Sequence, residues 1–188
     1  PVLWGGGRDP AEELKRVLAP VADLAVDAVR AAFRKAREAQ EEARRGFHEL
    51  FQSHRREDGI HVVLLGRPYT VTDPTMNKNI PEIIGKLGVR AFYQDMLPPA
   101  LPSAETGKLL QNVHWRYAAD ILLAADYVAR TPGLYPVFIT SFKCAPDAFC
   151  ADAFKRIMDA REKPYLVLQL DEHDSTVGYE TRIEAAIR

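Results

Sequence analysis

Four short apolar runs limit what this chain can fold into. They are His61-Val-Val-Leu-Leu65, Val89-Arg-Ala-Phe-Tyr93, Tyr135 to Thr140, and Tyr165-Leu-Val-Leu-Gln-Leu170. Each has strand length, and each ends at a turn-forming or polar residue. The first is apolar at successive positions and stops at Gly66, which suits a strand buried on both faces. Between the runs the period changes to that of a helix. Asn79 to Leu87 carries Pro81 in its first turn and Gly88 at its end. His114 to Arg130 and Ala148 to Arg161 are further helical segments, and Glu180 to Arg188 begins a last one. The proline-rich stretch 95–107 reads as a loop. Such alternation predicts an α/β fold. The expected form is a Rossmann-like or flavodoxin-like parallel sheet of about four strands with helices on both faces.

The amino-terminal third has another rhythm. Gly5-Gly-Gly7 reads as a flexible lead. Residues 10–56 hold apolar side chains at helical spacing, and Pro20 divides them into a short helix and a long one. The chain therefore divides into an N-terminal helical segment, residues 1–59, and an α/β domain, residues 60–188. Two readings of the long helix stand. Its narrow, alanine-rich apolar face either packs on its own domain or docks a partner, a second copy giving a homodimer. Pro1 is not a native first residue, so the chain is expected to be a piece of a longer protein.

In a parallel sheet, ligands bind outside the carboxyl ends of the strands. Four tips are collected there: Gly66-Arg-Pro-Tyr69, Gln94-Asp-Met96, Ser141-Phe-Lys-Cys144 with Asp147, and Asp171-Glu-His173. Cys144, at a turn before a helix, is either a thiolate ligand or a small buried hydrophobe. His173 is either an acid/base group or a loop residue bonded to its neighbours. Arg67 either binds a phosphate or carboxylate or pairs with Asp73 or Asp171. Thr181 and Glu184 have the spacing of a capping box at a helix start. Trp115, Tyr117 and Tyr69 are either packing residues or stacking platforms. Cys150, inside a predicted helix, reads as core. No G-x-x-x-x-G-K-[ST], G-x-G-x-x-G or G-x-S-x-G pattern is present.

The net charge of −1 gives no reason to expect nucleic acid as a partner. No apolar run approaches the ~18 residues needed to cross a membrane. With only two cysteines, six residues apart, no disulfide framework exists, and a cytoplasmic setting is the default expectation.

Several stretches, taken together and in order, resemble the acyl-CoA dehydratase activase-related family, akin to the 2-hydroxyglutaryl-CoA dehydratase and benzoyl-CoA reductase systems. They are Leu65-Gly-Arg-Pro-Tyr69, Asp73-Pro74 with Asn77 and Ile80-Pro81, Asp95-Met-Leu-Pro98, and Asn112 with Trp115-Arg-Tyr117. Ser141-Phe with Cys144 and Pro146-Asp147 follows, then Asp171-Glu-His173 with Gly178 and Thr181-Arg-Ile-Glu-Ala185. The resemblance implies a dehydratase-like module in ATP-driven, low-potential electron transfer on acyl-CoA. It implies a [4Fe–4S] cluster with Cys144 as one metal ligand, while the ATP-binding part lies outside this sequence. Arg67, His173 and Glu184 become candidate catalytic residues, and Tyr69, Asn77, Asp147 and Arg182 candidate cofactor-binding residues. The implied partners are an acyl-CoA or a redox subunit. The family's turn reads Asn-Phe-x-Cys-Gly-Pro-Asp, whereas Ser141 and Ala145 stand here for its Asn and Gly. With one rim cysteine, the remaining ligands must come from elsewhere. The alternative is a scaffold or partner-binding domain that keeps the fold without a cluster.

Overall fold

The computed structural model describes residues 9–141, 145–170 and 176–187. Two compact units divide between Phe47 and His48. In the first, α1 (Pro10–Leu18) starts at Asp9, whose side chain accepts a hydrogen bond from the Ala11 amide. Asp9 also pairs with Arg30 at 2.6 Å. The second helix, α2 (Val26–His54), runs 29 residues. Pro20 lies in the turn between them, as a proline barred from a helix interior should. Residues 34–47 of α2 are exposed on every side.

The second unit holds the sheet. Its strands are β1 (His61–Gly66), β2 (Arg90–Tyr93), β3 (Leu134–Thr140) and β4 (Leu166–Gln169). All pairings are parallel, in the order β2-β1-β3-β4. Its helices are α3 (Pro68–Thr72), α4 (Ile80–Lys86), α5 (Ala104–Leu110), α6 (Arg116–Arg130), α7 (Ala145–Asp159) and α8 (Val177–Ile187). A single 3-10 turn, Gln94–Met96, follows β2. The expected α/β architecture is therefore the observed one, with its long N-terminal helix.

Side-chain alternation along β1 feeds two cores. Val63 and Leu65 join Phe92, Phe138, Leu122 and Phe154 on the face covered by α6 and α7. Phe51, from the last turns of α2, belongs to the same core and meets Phe92 edge-on at 4.9 Å. Val62 and Leu64 join Ile80, Ile84, Ile139, Leu168 and Ile183 on the face covered by α3, α4 and α8. All of β1 is buried, as its unbroken apolar run requires.

Three boundaries differ from expectation. The loop 95–107 ends in α5, whose cap Ser103 accepts from the Thr106 amide. Residues Pro68 to Thr72 form a helical turn, with Pro68 where a missing amide costs nothing. The last helix starts at Val177, so Thr181 is inside it and donates to the Val177 carbonyl at 3.0 Å. The capping box of Thr181 and Glu184 is thereby overturned: the hydroxyl bonds back along the helix instead of capping it. At the outer side of β4, the Arg182 guanidinium donates to the Val167 carbonyl at 2.7 Å. Among the described residues no helix is long and apolar enough to cross a membrane.

Candidate functional site

The strand order places β2 and β3 on opposite sides of β1. The chain leaves β1 in one direction and returns on the other side, which makes the carboxyl ends of β1 and β3 a topological switch point. Gly66 closes β1 there with φ of +157°. A Cβ on Gly66 would stand 2.5 Å from the Ile139 carbonyl oxygen and 2.8 Å from Val71 Cγ1. Only glycine lets the two strand ends come this close. The Gly66 amide is satisfied by Gln94 Oε1 at 3.0 Å, so the tip of β2 is tied to the tip of β1.

Arg67 follows and is fixed from two sides. Its Nε donates to Asp147 Oδ1 at 2.8 Å, and its Nη2 lies 2.6 Å from the same oxygen. Its Nη1 donates to Tyr69 Oη at 2.7 Å. Burial works against the charge, but the bonds to Tyr69 and Asp147 outweigh it, so the guanidinium stays protonated. Asp147 sits in the first turn of α7 and is itself buried. Its Oδ2 accepts from Thr140 Oγ1 at 3.3 Å. A clamp thus joins the ends of β1 and β3 to the start of α7. Pairing of Arg67 with Asp73 is not formed as one of the two readings had it; Asp73 Oδ1 accepts from the Met76 amide instead, at 2.9 Å. Beside the clamp, the Ser141 hydroxyl oxygen is buried and has no hydrogen-bond partner.

The other candidates separate. Tyr69 is exposed beside Arg67. Asn77 is buried, and both ends of its amide are used in the turn before α4. Its Nδ2 donates to the Val71 carbonyl at 2.8 Å, and its Oδ1 accepts from the Asn79 amide at 2.9 Å. Arg182 is occupied at the β4 edge, and Glu184 is exposed on α8. Cys144 and His173, with Asp171, lie outside the described residues. Of the predicted residues, the structure brings together Arg67, Tyr69 and Asp147.

Cys150 faces the core of α7 and is buried. Burial first, then the negative charge of Asp147, pushes its thiol up to about 12. It is an inert core thiol rather than a thiolate donor. Among the described residues no group of three or more His, Cys, Asp or Glu side chains is placed to hold a metal ion. The donor set described here does not by itself fit an iron–sulfur cluster.

One polar cluster had no counterpart in the sequence reading. Asp126 of α6 is buried and accepts from the Ser103 amide and hydroxyl at 3.0 and 2.6 Å, and from Thr106 Oγ1 at 2.9 Å. Arg130 lies 2.9 Å away. Burial would raise this carboxyl, but the bonds from Ser103 and Thr106 and the charge of Arg130 hold it below its usual range. The spacing Ser103-x-x-Thr106 was the available signal for the cap; Asp126 had none. Ser103, Thr106 and Asp126 line a cavity of about 300 Å³ between α5, α6 and the end of α7. It lies toward the amino ends of the strands, because α6 leads down to the start of β3 and α7 to the start of β4. It is structural ground, remote from the switch point.

Residues 8–97 match a protein-family model described as CoA enzyme activase uncharacterised domain (DUF2229). No curated protein and no solved structure is significantly similar to the chain. The matched stretch covers the helical unit, β1, the turn with Gly66 and Arg67, and β2.

Proposed function

From the premise that this chain is related to an acyl-CoA enzyme activase-related family, we propose that it supplies an acyl-CoA-binding module to an activase-dependent dehydratase or reductase system. The observation that carries the reading is the guanidinium of Arg67, held charged at the switch point by Asp147. Acyl-CoA brings phosphates and a polarisable thioester carbonyl, and an oriented guanidinium suits either. The chain's residues bind and orient: Gly66 and Gln94 set the position of Arg67, and Asp147 and Thr140 keep it aimed. In this reading Cys144 offers one thiolate to a cluster whose other ligands, like the ATP-binding part, belong to other chains or other segments. No electron-transfer step is assigned to the described residues, since their donors do not form a metal site.

Calorimetric titration of the chain with acetyl-CoA and benzoyl-CoA tests the reading. Wild-type chain is expected to bind at least one of them, and Arg67→Gln to bind it at least about tenfold more weakly. If the folded wild-type chain binds no acyl-CoA, the reading is wrong. A second reading is a scaffold that keeps the fold without a cluster; the departures Ser141 and Ala145 from the family's Asn-Phe-x-Cys-Gly-Pro-Asp turn speak for it. Anaerobic reconstitution with ferrous iron and sulfide separates the two. In the complete protein that supplies the other ligands, iron retained with wild-type sequence and lowered by Cys144→Ala supports the thiolate role; iron unchanged by Cys144→Ala supports the scaffold.

A further inference from the structure

The sequence left open whether Trp115 and Tyr117 pack inside or offer open faces. They are 47% and 51% exposed, so neither is a core residue. Trp115 directly precedes α6, which begins at the carboxyl end of the sheet because it descends from β2 to the start of β3. One side of the indole is supported by Phe149 of α7, with ring centroids 6.1 Å apart at 58°. Phe149 and Asp147 both stand near the start of α7, on different faces of it, so the platform and the Arg67 clamp share that end of the helix. A large ring supported on one side and open on the other is arranged to stack a planar ligand.

The surrounding charge identifies what kind of planar ligand fits. His114 and Arg116 are exposed on either side of Trp115, and the first turn of α6 contains no carboxylate. Asp120, one turn further, lies 3.5 Å from Arg116 in solvent, where such a pair holds the arginine only weakly. An aromatic face beside the Arg116 guanidinium matches a base carrying phosphates. We infer that Trp115 stacks the adenine ring of the bound acyl-CoA, with Arg116 beside its phosphates and the acyl arm directed to the Arg67 clamp. This rests on the acyl-CoA reading and adds to it a base-binding residue outside the switch point.

Trp4 and Trp115 are the two tryptophans of the chain, so Trp4→Phe leaves Trp115 as the single indole fluorophore. In that background, acetyl-CoA is expected to quench the emission and S-acetylpantetheine, which lacks the nucleotide, to leave it unchanged. Trp115→Ala should weaken acetyl-CoA binding roughly 5- to 150-fold and leave binding of S-acetylpantetheine unaltered. Trp115→Tyr, which keeps a ring, should restore most of the affinity. Acetyl-CoA bound equally by wild-type chain and Trp115→Ala overturns the platform while sparing the acyl-CoA reading, and it assigns the exposed rings to protein contact. If wild-type chain binds neither ligand, the acyl-CoA reading itself fails, and the platform with it.

Discussion

Removal of Asp147 should act through Arg67, and a double-mutant cycle measures this directly. Arg67 gives Asp147 two close contacts, at 2.8 and 2.6 Å, and the side chains are only 24% and 10% exposed. Hydrogen bonds between charged groups contribute about 1.5–3 kcal/mol each. The two share one oxygen, and the rim is partly wet, so their sum is an upper bound. Asp147→Ala also loses the bond from Thr140 and leaves the guanidinium half-buried without this partner. Losing either Asp147 or Arg67 should cost about 2–4 kcal/mol, equivalent to roughly 5–15 °C in melting temperature for a chain of this size. The double variant should cost little more than either single one, for a coupling near 2 kcal/mol. Urea unfolding followed by circular dichroism, with the midpoint compared at constant m-value, reads the effect. If the double variant equals the sum of the singles within about 0.5 kcal/mol, the clamp between β1, β3 and α7 does not exist.

Gly66→Ala should destabilise by at least about 2 kcal/mol, since it adds backbone strain to a Cβ 2.5 Å from the Ile139 carbonyl; urea unfolding would show it. His61 is buried at the start of β1, where its Nε2 accepts from the Arg56 amide at 2.9 Å. Burial above all, then the charges of Arg90, Arg55 and Arg56, lowers its pKa below 6.5. The unfolded chain therefore takes up this proton first as the pH drops, so stability is complete above about 6.5 and declines below it. An NMR titration should place the ring's midpoint below that of the unfolded chain's histidines, and His61→Phe should remove that part of the pH slope.

The sheet was legible because burial on both faces leaves an unmistakable mark: β1 is four apolar residues in a row, between His61 at its head and Gly66 at its end. The tips were legible for the same reason, since in a parallel sheet the ends of the runs must share a rim. Pairings across that rim were not. Arg67 and Asp147 stand eighty positions apart, and nothing local distinguishes Asp147 from Asp73 as the partner. Short helices were hidden too. Pro68 to Thr72 is rich in β-branched residues, and α5 follows a proline-rich stretch whose composition masks the cap at Ser103. Thr181 carried a true capping pattern in the wrong place, because the helix had begun a turn earlier, at Val177.

Arg182 has a consequence for how the sheet meets other polypeptides. In the parallel ladder Leu170 donates to Thr140, so alternate residues of β4 turn inward and Val167 turns its peptide group away from β3. An outward carbonyl in a row of such groups is a template on which a foreign strand can assemble, which is how exposed edges seed aggregation. Here that carbonyl already receives a proton from a side chain of the chain's own last described helix. Arg182 works as a stopper at this point of the seam. An incoming strand must first displace its hydrogen bond, and it meets a strand only four residues long, so the edge is guarded by a side chain and by its own shortness.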